Sequence, residues 1–167
     1  MSAVRTPDFV IATTSAAQTA ALAESLALGA RAGDLIVLAG DLGAGKTTFS
    51  KGFGLGLGVE ATITSPTFTL AREYQGAELL LHHLDVYRLE QLDEVLDLAL
   101  PELVESGGVV LVEWGDTITA ALQPNYLEIQ ISFGEGDDDR LIGLSLVGLS
   151  WQGRKRSIEQ AITRAQS

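Results

Sequence analysis

Apolar residues in this chain follow two patterns. The stretch 34–39, an apolar run behind Asp34, and the unbroken apolar run 109–112 predict strands buried on both faces. Longer stretches carry apolar residues at helical spacing. One covers 15–31, rich in Ala and Leu, with Thr13, Thr14 and Ser15 as cap candidates and Gly33 to close it. Another covers 89–100, with Leu89, Leu92, Leu96 and Leu100 on one face and Pro101 as its stop. A first strand is predicted over 8–12. A helix opens at Thr47, with Phe49 and Phe53 four apart, and the alternating Gly52, Gly54, Gly56 and Gly58 then loosen its end into a turn region.

Two hairpins complete the pattern. Residues 68–74 and 78–84 flank the short turn Gln75-Gly76-Ala77, and 126–133 and 141–149 flank the acidic tip 134–139. Residues 151–167 read as a polar C-terminal tail with a short helix. The order β-α-β-loop-α-ββ-α-β-ββ predicts an α/β, three-layer fold of P-loop NTPase type. Its central sheet is mixed but largely parallel, with added antiparallel hairpins, and a single domain spans 1–150.

The joint between the buried strand at 34–39 and the helix after it carries the chemistry. Gly40-Asp41-Leu42-Gly43-Ala44-Gly45-Lys46-Thr47-Thr48 completes the pattern G-x-x-x-x-G-K-[ST]. Its glycines permit conformations that turn successive N–H groups inward, which with a helix N-terminus makes an anion cradle. This predicts that Asp41, Leu42, Gly43, Ala44, Gly45, Lys46, Thr47 and Thr48 bind a nucleoside triphosphate or its diphosphate product. Lys46 reaches the β- and γ-phosphates and the Thr47 hydroxyl ligates Mg²⁺.

Such a site needs an acid at the end of a neighbouring strand. Asp85, at the end of Leu79-Leu-Leu-His-His-Leu84, and Glu113, after the apolar run 109–112, are the candidates for metal binding and catalysis. Ser65-Pro66-Thr67 is either a stiff turn before a strand or a switch that senses γ-phosphate through its hydroxyls. Trp114 is either core or a lid, and Arg140 either pairs with the acidic tip or reaches a nucleotide. Successive strand residues face opposite sides, so His82 and His83 are poorly placed to share a metal, and core packing is expected for both.

Charge and composition narrow the partners. A net charge of −11 argues against a broad nucleic-acid-binding surface, so any role in an RNA pathway would run through a protein partner. No apolar stretch is long enough to span a membrane, no secretory signal pattern opens the chain, and Cys is absent, all of which fit a cytoplasmic protein.

Four segments in order, 40–49, 65–70, 83–89 and 112–114, resemble the signatures of the TsaE (YjeE) family, small bacterial ATPases of tRNA threonylcarbamoyladenosine biosynthesis. The likeness covers about residues 8–149. It implies ATP, with ADP as its product, rather than GTP, slow hydrolysis, and partnership with TsaB and TsaD, the subunits that make the threonylcarbamoyl transfer, with tRNA reached only indirectly. By position it implies that Asp85 and Glu113 surround Mg²⁺ and water, that Trp114 lies beside the site, and that Ser65 and Thr67 belong to a switch-like segment. It also points to Thr19 and Arg140 as nucleotide contacts. The chain departs from the family at Ala17 and Ala23, where a Glu and a Gly are usual.

Three other readings remain open. A small-molecule kinase of this fold would carry an Arg-rich lid, whereas the eight Arg here are scattered. A GTPase would carry N-K-x-D, and no such motif follows the core. A nucleotide-sensing subunit with negligible turnover would keep every motif.

Overall fold

A computed structural model of the chain describes residues 6–41, 43–64, 71–85, 100–113 and 124–167. Seven strands form one sheet: β1 (Phe9–Thr13), β2 (Leu35–Gly40), β3 (Ala71–Gln75), β4 (Leu80–Asp85), β5 (Val109–Glu113), β6 (Tyr126–Phe133) and β7 (Arg140–Val147). Their order is β1-β7-β6-β2-β5-β4-β3. The four central strands, β6, β2, β5 and β4, run parallel, and the outer pairs β1/β7, β7/β6 and β4/β3 are antiparallel. This is the mixed α/β sheet that the sequence predicts. β2 and β5 are buried at every position, which is why they read as unbroken apolar runs.

Helices α1 (Ala16–Ala27), α2 (Lys46–Leu57) and α5 (Lys155–Gln166) share a core with one face of the sheet, built on Leu22, Phe49, Phe53, Leu111, Ile129 and Ile158. On the other face Leu103 and Val104 of α3 (Leu100–Glu105) pack on Val110 and Val112. Ser15 caps α1, accepting from the Gln18 backbone N–H, while Gln18 accepts from the Thr14 N–H.

Three boundaries differ from the sequence reading. α1 ends at Ala27, with Leu28 as its cap, and Gly33 instead takes φ 88° in the turn into β2. Pro101 does not stop a helix but lies within α3, whose described residues run Leu100–Glu105. Most of the helix predicted over 89–100 lies outside the described residues. Leu149 leaves the last strand and opens α4 (Leu149–Gln152), and the tail beyond it includes the 12-residue α5, packed on α1.

The largest difference concerns the glycine run. Gly52, Gly54 and Gly56 do not form a turn region but lie inside α2, which continues to Leu57 and is closed by Gly58 at φ 83°. The reason is tertiary. A Cβ on Gly52 would lie 2.3 Å from the Ala20 carbonyl oxygen, and one on Gly56 would lie 2.4 Å from that of Glu24. These glycines, four apart on one face, let α2 rest directly on the α1 backbone. Gly→Ala inside a helix normally gains about 1 kcal/mol of propensity. Gly52→Ala is expected instead to destabilise by about 1–3 kcal/mol through overpacking, read as a lower midpoint in urea unfolding.

Candidate functional site

The site begins at the carboxyl end of β2. Gly40, with φ 151°, approaches β6 so closely that a Cβ would lie 2.5 Å from the Ile131 carbonyl oxygen. The chain then turns, the Ala44 N–H bonding to Asp41 O at 3.0 Å, and enters α2 at Lys46. Gly43 and Gly45 hold φ of 81° and 116°, and nothing lies within 4 Å of where a Cβ on either would stand. Their backbone is strained for any other residue and faces open space, a concave turn at a helix N-terminus that suits an anion.

Lys46 folds back over this turn. Its ammonium donates to Gly40 O at 2.6 Å and Asp41 O at 2.9 Å, which staples the two ends of the loop. Thr47 and Thr48 are half-buried on the first turn of α2.

Sheet order brings the acids to the same edge. β5 lies between β2 and β4, and the register pairs Leu38 with Glu113 and Glu113 with Asp85. The two carboxylates therefore stand side by side at the ends of adjacent parallel strands, one strand from the glycine loop. Both are buried, Glu113 at 2 % exposure and Asp85 at 9 %. Glu113 Oε2 accepts from His83 Nε2, and the Ser50 hydroxyl lies 3.3 Å from the same oxygen. Ser50 is one turn beyond Lys46 and also bonds the Lys46 carbonyl at 3.0 Å.

On the other flank Arg140, at the start of β7, donates through Nε to Ala44 O at 2.8 Å and through a terminal nitrogen to Asp137 O and Asp139 O. It thus ties the acidic hairpin tip to the glycine loop. A cleft of about 100 Å³ opens there, lined by Ser15, Thr19, Gly43, Ala44, Thr48 and Arg140. Thr19 is buried and its hydroxyl bonds that of Thr13 at 2.8 Å.

The structure thus gathers Asp41, Gly43, Ala44, Gly45, Lys46, Thr47, Thr48, Asp85 and Glu113 along one sheet edge, with Thr19 and Arg140 beside them. Leu42, Ser65, Thr67 and Trp114 lie outside the described residues. Among those described, no three His, Cys, Asp or Glu side chains converge as a metal site of their own. Two carboxylates and a hydroxyl suit Mg²⁺, a hard cation that retains waters and takes phosphate oxygens as ligands, better than a metal needing a full protein cage.

Sequence reading missed two members of this cluster. His83 is not simply core packing but a partner of Glu113, whereas His82 faces the other way, toward Glu73 and Ser106. The available signal was parity: His83, two residues before Asp85 in a strand, must share its face. Ser50, four residues after Lys46, likewise shares the face of that lysine.

A mixed sheet whose central strand leads through a glycine loop into a helix defines an α/β protein with a P-loop-like fold. A family model described as "Threonylcarbamoyl adenosine biosynthesis protein TsaE" matches residues 13–142. The chain belongs to the TsaE family. It is 48% identical over 131 residues to the tRNA threonylcarbamoyladenosine biosynthesis protein TsaE of Bacillus subtilis, across 78% of this chain and 81% of that protein. The Streptomyces coelicolor protein of the same name is 44% identical over 123 residues, across 71% of this chain and 82% of its own length. The crystal structure of YdiB from Bacillus subtilis superposes with a TM-score of 0.76 at 37% identity, covering 98% of this chain and all (100%) of the other. Among the described residues no helix is long and apolar enough to cross a membrane.

Proposed function

We propose that this chain is an Mg²⁺-dependent ATPase subunit that binds ATP, hydrolyses it slowly, and supports tRNA threonylcarbamoyladenosine modification in the cytoplasm through TsaB- and TsaD-type partners. The observation that carries the reading is the juxtaposition of Asp85 and Glu113, in register at adjacent strand ends, with the glycine loop one strand away.

In this reading the N–H groups of 41–45 and the N-terminus of α2 hold the phosphates. The Lys46 ammonium, now resting on the Gly40 and Asp41 carbonyls, neutralises the outer phosphates. Thr47, Asp85 and Glu113 would hold Mg²⁺, which supplies charge neutralisation at the phosphates when bound. Asp85 and Glu113 also include the group that orients the attacking water. Thr48, Thr19 and Arg140 line the cleft beside the loop and would receive the rest of the nucleotide. Ser65 and Thr67 would sense the γ-phosphate, and Trp114 would lie beside the site. A net charge of −11 leaves tRNA to the partners.

The test is phosphate release by the purified chain, alone and with its TsaB- and TsaD-type partners, with and without Mg²⁺. Mg²⁺-dependent turnover that rises with the partners is the expected result. Tight nucleotide binding with no turnover in any mixture would overturn the enzyme and leave a nucleotide-sensing subunit. Phosphate transfer to an added small molecule would move the assignment to a kinase.

A further inference from the structure

We propose that His83 is a positioning residue for Glu113: through Nε2–H, and together with the Ser50 hydroxyl, it fixes the Glu113 carboxylate at the end of β5. This rests on the ATPase reading for its kinetic consequence but not for its structural one.

The argument starts from burial. Glu113 is 2 % exposed and His83 0 %, so their polar atoms depend on partners inside the fold rather than on bulk solvent. A carboxylate only accepts, so the ring donates to it through Nε2. Among the described residues His83 Nδ1 has no hydrogen-bond partner. A buried polar atom left so costs on the order of 1–3 kcal/mol. A side chain chosen only to fill the core would avoid that cost. The imidazole is kept in spite of it, and its one described polar contact is Glu113.

The direction of the two contacts gives the role. The His83 bond and a weaker contact from Ser50, whose one hydroxyl proton is shared with the closer Lys46 carbonyl, both converge on Oε2, and neither uses Oε1. One comes from β4, two residues before Asp85; the other comes from α2, four residues after Lys46. The carboxylate is therefore clamped between the strand that carries the second acid and the helix that carries the phosphate-binding lysine. A flexible Glu side chain at a strand end would otherwise sample several rotamers, and a water or metal shell needs one.

Three variants test this. His83→Leu keeps bulk and removes the donor. His83→Gln restores an N–H near the position of Nε2. His83→Asn places its amide nearer the backbone, short of Oε2, and serves as the non-donating variant should the leucine chain not fold. In crystal structures of the ligand-free variants, Glu113 is expected to keep its rotamer in His83→Gln and to leave it in the non-donating variant. With partners present, the non-donating variant is expected to lose about 10–100-fold in kcat, with KM for ATP changed less than threefold and kcat substantially restored by His83→Gln.

An unmoved Glu113 in the non-donating variant overturns the proposal. So does a wild-type kcat there, or a loss that falls on KM alone. If the unmodified chain shows no turnover with its partners, the ATPase reading fails, and the Glu113 rotamers still decide whether His83 positions it.

Discussion

Lys46→Ala is expected to lower Mg²⁺-dependent ATP hydrolysis by about 10²–10³-fold, the scale for removing one preorganised charge from a developing transition state. The variant loses two things at once. One is the ammonium that meets the phosphates. The other is the staple across the loop, since Nζ bridges the Gly40 and Asp41 carbonyls. Among the described residues no neighbour replaces it: Lys51 is exposed on α2, and Arg140 is engaged with the Ala44, Asp137 and Asp139 carbonyls. Phosphate release and binding of a fluorescent ATP analogue, measured on the same preparation, separate the two losses. Turnover within a few-fold of the unmodified chain would remove Lys46 from the catalytic reading.

Arg154→Ala should cost about 3–5 kcal/mol of folding stability, because removing one partner of a buried pair strands the other charge. Arg154 lies between α4 and α5 and reaches back to Asp34, the residue before β2. The pairing is forked, 2.8 Å to Oδ1 and 3.0 Å to Oδ2, with a further bond to Gly29 O at 2.9 Å. The guanidinium lies 4.0 Å over the Trp151 ring. Asp34 is spent in turn, accepting also from the Arg31 N–H at 2.8 Å. For a chain of this size that loss lowers the midpoint of thermal unfolding by roughly 6–20 °C. Arg154→Lys should recover little of it, since an ammonium cannot fork or stack on the indole in the same way. Because the pair is buried, added salt should change the wild-type midpoint little through it. A variant with an unchanged midpoint would mean that the Arg154–Asp34 pair contributes nothing net to stability.

That contact also shows where sequence reading runs out. The strand, loop and helix around Lys46 were legible because each signal is local: an apolar run, glycines at turn positions, and a lysine at the helix start. Asp85 and Glu113 were legible because an acid closing a strand-like run marks a strand end. Their pairing needed strand order, which spacing does not supply. The glycines of α2 misled because their cause, the backbone of α1, is some thirty residues away. Pro101 misled because proline disfavours a helix without always ending one, and the helical residues here run on to Glu105. His83 could be placed on the face of Asp85 by parity, but its bond to Glu113 depends on β4 and β5 being neighbours. The pairing of Arg154 with Asp34, separated by 120 residues, left no local trace at all.

The contact between α1 and α2 has one more consequence, for how this sequence can drift. Two side chains that meet in a core can trade size, one shrinking as the other grows. At Gly52 and Gly56 the opposing atoms are carbonyl oxygens of Ala20 and Glu24, and every residue type has that oxygen. No replacement on α1 can make room for a methyl group on α2. The two glycines can therefore be lost only if the helices themselves move apart, carrying Thr19 away from the loop that Lys46 closes, so these two positions have no compensating partner in evolution.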